Sequence, residues 1–95
     1  MAGWVLYLLK CRDGSLYTGV TTNPERRLQK HNAGKGGAYT RSRRPVKMLL
    51  QEVHHNRGSA LRREAQIKSW PRQKKVKLLL KVSPVVRGIG TRGSA

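Results

Sequence analysis

Only four carboxylates, Asp13, Glu25, Glu52 and Glu64, stand among 21 lysines and arginines in this chain, so chemistry that needs an acid must use one of them. Glu64 has the most informative setting. Successive residues of a helix advance by about 100°. On a helix over Ala60–Ser69, that spacing gathers Ala60, Leu61, Ala65 and Ile67 into one broad apolar face with Glu64 near its middle, while Arg62 and Gln66 point away. A carboxylate turned toward a core costs free energy unless it is paired or holds a metal ion. Lys68, four residues on, offers the pairing in the favourable order. A metal ion is the functional alternative, and helix geometry leaves the two level.

Two further groups have the right chemistry. Arg27 and His31 are four residues apart and share a helix face with Leu28, while Arg26 and Lys30 form a neighbouring strip suited to solvent or to phosphates. A lone arginine or histidine is more often structural, but an Arg–His pair on one face favours a site. Tyr7 and Tyr17 fall on two segments joined by a tight turn, which lets them meet across a sheet. Tyrosine pairs in sheets usually serve packing. Near a metal or a cation, however, a phenol loses its proton more easily than its ordinary pKa of about 10 suggests.

These residues need elements to position them. Trp4–Cys11 is a mostly apolar run suited to a buried strand, Asp13-Gly14 is a hairpin turn signal, and Leu16–Thr22 reads as the returning strand. Gly19 within it marks a bulge or a close approach to the backbone. A first helix opens at Thr22–Glu25, either with Asn23 as cap and Pro24 in the first turn or with Thr22 and Glu25 as a capping box, and ends at about Asn32. A basic, glycine-rich loop, Gly34–Arg44, leads to a third strand over Val46–Val53. Ser59 caps the helix that carries Glu64, and Arg72–Lys81 forms a last short helix after Trp70-Pro71. The order predicts an α+β fold, a small three-stranded antiparallel sheet flanked by helices (β-β-α-β-α-α). The folded unit should cover 1–82, with a flexible basic C-terminal tail over 83–95.

The 95 residues carry a formal net charge of +17, with 37% hydrophobic residues and no phenylalanine. Such a surface repels itself, and a polyanion relieves the repulsion while releasing its condensed counterions. Nucleic acid is therefore the expected partner. A membrane is disfavoured by the absence of a long apolar run or a lipidation motif, and Gly3–Leu9 is too short for a signal peptide. One cysteine, Cys11, allows no internal disulfide and no thiolate cluster, in keeping with a cytoplasmic protein.

Val5-Leu6-Tyr7 followed by Tyr17-Thr18-Gly19 resembles the paired signature of the GIY-YIG nuclease domains, although only Tyr7 matches the first half strictly. Arg27 ten positions after Tyr17, His31 four later, and Glu64 on the later helix fit the same pattern, over about Trp4–Lys81. Within that superfamily the chain resembles the short single-domain UPF0213 group, whose Gly-Lys-Gly-Gly-Ala-Tyr-Thr style loop is similar to Gly34–Thr40. It is also similar to the catalytic module of structure-selective junction-resolving nucleases. The resemblance implies a metal-dependent endonuclease acting on DNA rather than RNA, on branched or flapped structures. It implies Tyr7, Tyr17, Arg27, His31 and Glu64 as catalytic residues and Glu64 as ligand of one Mg2+ or Mn2+. Tyr17 would be the general base, with Tyr7 or His31 orienting the water or relaying its proton, and Arg27 would stabilise charge on the phosphate. Arg26, Lys30, Lys35, Tyr39, Arg41, Arg43, Arg44 and Lys68 are the expected nucleic-acid contacts of a monomer that takes some of its specificity from a protein partner. Two positions depart from the family. Many members carry an asparagine about a dozen residues beyond the glutamate, where this chain has Lys74-Lys75-Val76-Lys77, and some carry a lysine where this chain has Val20. A binding module that keeps the fold and cleaves weakly or not at all is the alternative.

Overall fold

The computed structural model describes residues 3–86, with side chains through residue 80. Strands β1 (Trp4–Lys10) and β2 (Leu16–Thr21) form the expected hairpin, and β3 (Lys47–His54) pairs on the other side of β1, so the antiparallel sheet has the order β2-β1-β3. Helices α1 (Pro24–Asn32), α2 (Ala38–Arg41), α3 (Arg57–Lys68) and α4 (Arg72–Val86) complete the α+β fold.

β1 is central and covered on both faces, which is why its sequence is nearly continuous in apolar residues. Leu6 and Leu8 join Leu50 and Ile67 in one core, against which Leu16, Val20, Trp70, Leu78 and Leu79 pack. Tyr7, Leu9, Cys11 and Val46 form a second cluster with Tyr17, Leu28 and Met48. Full burial of each such leucine or isoleucine contributes roughly 1.5–3 kcal/mol. The outer strand β3 follows β1 through a register shift at Leu8/Leu9 and leaves Val53 74% exposed.

Local signals explain most boundaries. The hairpin connection runs over Cys11–Ser15: the Gly14 amide donates to the Cys11 carbonyl and Gly14 takes the left-handed φ of 88° that its lack of a Cβ permits. Cys11 thus lies in the turn rather than in the strand. Asn23, not the Thr22–Glu25 box, caps α1, its side chain accepting from the Arg26 amide with Pro24 in the first turn. Such a cap contributes about 1 kcal/mol.

Four expectations change. α3 begins at Arg57 because Asn56 is the cap, accepting from the Ser59 amide at 2.8 Å, so Ser59 lies inside the helix. Ala65 is exposed: it lies about 140° around the helix from Ala60, whereas Glu64 lies about 40° from Ala60 and about 60° from Ile67, at the margin of the buried side. The glycine-rich loop contains the short helix α2. α4 continues through Ser83 and Pro84 to Val86 instead of stopping at Lys81, so Pro84 falls within the helix and not after its end. The remainder of the expected tail, 87–95, lies outside the described residues.

The loop between α1 and β3 is tied at its ends by one amide. Asn32 Nδ2 donates to the Val46 carbonyl and Asn32 Oδ1 accepts from the Val46 amide, as a strand partner would.

Candidate active site

The strand register sets the two tyrosines apart. Tyr7 sits opposite Gly19 on central β1, and Tyr17 opposite Leu9 on outer β2, so they are diagonal neighbours on one face with ring centroids 6.4 Å apart. Tyr7 is buried and Tyr17 half-buried. Gly19 is required here, since a Cβ at that position would overlap the Tyr7 hydroxyl. The close approach expected at Gly19 is therefore made by Tyr7.

The Tyr7 hydroxyl and His31 Nε2 share a hydrogen bond of 3.0 Å, and His31 Nδ1 shares another of 2.7 Å with Thr40 Oγ1. A neutral imidazole has one donor and one acceptor nitrogen, so one hydroxyl donates to the ring and the other accepts from it. Burial, and after it the positive charge of Arg27, hold the His31 pKa below its usual range, which keeps the ring neutral. Burial and the nearby Tyr17 and Glu64 raise the Tyr7 pKa well above the ordinary phenol range, against an opposing pull from Arg27. Tyr7 therefore remains a protonated phenol at physiological pH.

Tyr17 is surrounded by rings. His31 packs edge-on at 5.3 Å and Tyr39 stacks at 5.9 Å. Lys68 Nζ lies 6.0 Å from its ring centroid and 3.3 Å from Glu64 Oε2. The ion pair of Glu64 with Lys68 is thus formed, and it stands beside Tyr17. Arg27, half-buried on α1, has no carboxylate partner among the described residues. A cleft of about 270 Å³ opens beside it where β2 passes into α1, lined by Thr21, Thr22, Asn23, Arg26, Arg27 and Lys30: three cations and no acid.

The other carboxylates have structural partners or stand elsewhere. Asp13 is held below the usual range, first by the Ser15 hydroxyl and also by Arg43. Burial alone would raise Glu52, but hydrogen bonds from His54 and Arg63 outweigh it and lower its pKa. Glu25 is exposed in the first turn of α1. Glu64 is left as the inward acid. No group of three or more His, Cys, Asp or Glu that could enclose a metal occurs among the described residues. A single carboxylate still suits a hard divalent ion that keeps much of its water and takes substrate phosphate oxygens, as magnesium commonly does.

The basic loop divides into two kinds of residue. Lys35 and Arg41 are exposed, as are Arg26 and Lys30 on α1. Arg43 donates to Asp13 and to the Tyr39 carbonyl, while Arg44 donates to the carbonyls of Arg41 and Asn32, so both guanidinium groups brace the loop. Sequence reasoning missed Thr40, Gly36 and Asp13. Thr40 is fully buried against His31, and a Cβ at Gly36 would overlap the His31 ring. The glycine-rich stretch was the signal for Thr40 and Gly36, whereas Asp13 read only as a turn residue, its tie to Arg43 being a contact across 30 residues.

A family model described as the GIY-YIG catalytic domain matches residues 3–77, and the chain belongs to that family. Its similarity is to the UPF0213 proteins within it. One from Staphylococcus haemolyticus is 51% identical over 79 residues, covering 83% of this chain and 96% of the relative, and one from Staphylococcus saprophyticus is 50% identical over 74 residues, covering 78% and 90%. Among solved structures, a UPF0213 protein from Bacillus halodurans is similar at 41% identity and a TM-score of 0.54, over 80% of this chain and 81% of that one. A protein from E. faecalis is similar at 40% identity and a TM-score of 0.59, over 87% and 92%. No described helix is long and apolar enough to cross a membrane.

Proposed function

We propose that this chain is a metal-dependent endonuclease that hydrolyses phosphodiester bonds in DNA, with branched or flapped structures as its substrates. The observation that carries the reading is the convergence of Tyr7, His31 and the Lys68–Glu64 pair on Tyr17, with the charge of Arg27 felt at Tyr7 and His31 and a cleft lined by cations beside Arg27.

In this reading a water oxygen attacks phosphorus as the ester P–O bond breaks. Tyr17, the half-buried tyrosine, takes the water's proton as general base once its own phenol has lost a proton to solvent, and the leaving ester oxygen takes up a proton from solvent. Tyr7 is poorly suited to that role, because its burial holds the proton in place. With His31 and Thr40 it forms a neutral chain that fixes the inner wall of the site and offers a path for a proton. Arg27 faces the charge that develops on the phosphate, a role suited to a planar multi-donor cation. Glu64 would hold one Mg2+ or Mn2+, which when bound would supply Lewis acidity at a phosphate oxygen. Exposed Arg26, Lys30, Lys35 and Arg41, together with Lys68, supply phosphate contacts and anchor the polyanion.

One observation favours a binding module instead: Glu64 is already engaged by Lys68, and a metal would have to displace that partner. Cleavage of labelled branched, flapped and linear DNA, with RNA counterparts, in Mg2+, Mn2+ or chelator decides between them. Metal-dependent cutting of branched DNA that is lost in Glu64→Gln supports the nuclease. Tight binding with no cutting under any condition supports the module.

A further inference from the structure

The expected role of Tyr39 was contact with nucleic acid, but its neighbours suggest a different task. Among the described residues the Tyr17 hydroxyl makes no hydrogen bond, so packing around the ring decides where its oxygen points. Tyr7 and His31 pack on that ring from the core, and Tyr39 stacks on it at 5.9 Å with an interplanar angle of 27°.

Tyr39 is 41% exposed, yet it is held. The Arg43 guanidinium carbon lies 3.9 Å from the centroid of its ring, and Arg43 Nη1 donates to the Tyr39 carbonyl at 2.8 Å. Arg43 Nε donates in turn to Asp13 Oδ2 at 3.2 Å, and Asp13 is itself fixed in the hairpin turn by the Ser15 amide and hydroxyl. A strut therefore runs from the β1–β2 turn through Asp13, Arg43 and Tyr39 to the tyrosine on β2. A ring lying under a guanidinium at this distance is poorly placed to receive a nucleobase.

We infer that Tyr39 is a positioning residue, which with Arg43 and Asp13 holds the Tyr17 phenol in one orientation toward the attacking water. This rests on the reading of Tyr17 as general base. It adds a determinant of turnover that lies outside the residues placed at the phosphate.

Two variants and two readouts test it. Tyr39→Ala removes the strut, and Tyr39→Phe keeps the ring. On branched DNA, Tyr39→Ala should lower kcat by about tenfold to a hundredfold, the scale expected of a misplaced group, with KM nearly unchanged, and Tyr39→Phe should restore kcat. Independently of activity, three-bond couplings in isotopically labelled protein should report one χ1 rotamer for Tyr17 in the parent and in Tyr39→Phe, and averaged rotamers in Tyr39→Ala. A rise in KM at constant kcat would make Tyr39 a substrate contact and overturn the inference, as would unaltered Tyr17 couplings in Tyr39→Ala. If the parent cuts no substrate the couplings still decide whether the strut exists, and it is the nuclease reading that fails.

Discussion

The Tyr7 hydroxyl and His31 Nε2 meet at 3.0 Å where solvent scarcely reaches, Tyr7 being 2% exposed and His31 0%. The sheet and the first helix are joined through this contact. Tyr7→Phe would leave a buried imidazole nitrogen without its partner, at a cost of about 1–3 kcal/mol. Tyr17→Phe, at a half-buried ring whose hydroxyl bonds to no described residue, should cost much less. Thermal unfolding of the two variants side by side measures the difference, and equal losses would contradict the assignment of inner and outer tyrosines.

The same histidine gives the fold a pH dependence of known sign. Its pKa is lowered in the folded state, so below about pH 6.5 the unfolded chain binds a proton that the folded chain resists. This contribution to stability is complete above that range and is lost as pH falls through it, until His31 protonates in the fold as well. His31→Gln should flatten the fall in melting temperature between neutral and mildly acid pH. A curve as steep as the parent's would show that His31 is not the group responsible.

At Glu64, magnitudes separate the two readings. An ion pair with side-chain exposures of 53% for Lys68 and 20% for Glu64 contributes at most about 1 kcal/mol. Glu64→Gln should therefore lower the melting temperature little, leave DNA binding intact and abolish metal-dependent cleavage. If cleavage survives and only stability falls, the carboxylate is a pairing group and no metal ligand.

In the proposed roles of base and charge stabiliser, Tyr17 and Arg27 are each needed for turnover, and Tyr17→Phe and Arg27→Ala should each reduce cleavage by ~10²–10⁴-fold. The Phe variant should bind substrate nearly as well as the parent, and the parent's activity should rise with pH. Undiminished cutting by Tyr17→Phe would transfer the role of base to another group.

Affinity for nucleic acid should fall steeply with salt. Neutralising exposed Lys35 or Arg41 should reduce the logarithmic salt slope by about one per lost phosphate contact. Replacing Arg43 or Arg44, whose guanidinium groups brace the loop, should lower stability as well. A slope that is flat for the parent would remove backbone charge as the main source of binding.

Elements with local signals were legible in the sequence. Asp13-Gly14 marked the hairpin turn and Asn23-Pro24 the start of α1, because turn and cap chemistry act within a few residues. α3 was started late because Ser59 and Asn56 are both good caps, and only the backbone shows which one accepts the amide. α2 was missed because four residues in a glycine-rich loop carry no periodicity. Its anchor, Thr40 against His31, is a tertiary contact.

The candidate members of the site were proposed from their types and a family resemblance, but the differences in burial and partners between them were not legible. That Tyr7 is the inner phenol and Tyr17 the accessible one follows from β1 being central and β2 outer, which pairing decides. Arg43 read as one more surface cation because its partner Asp13 lies 30 residues away. No local pattern reports a contact of that separation.

The outer position of β3, with Val53 largely bare beside a backbone edge that pairs with no further strand among the described residues, is a surface onto which a second copy can add a strand. Mutual repulsion between molecules of formal charge +17 opposes that encounter. A bound polyanion cancels this protection as it brings copies together. If polyanion binding dominates as proposed, turbidity on titration with DNA should be greatest near charge balance and should clear when either component is in excess.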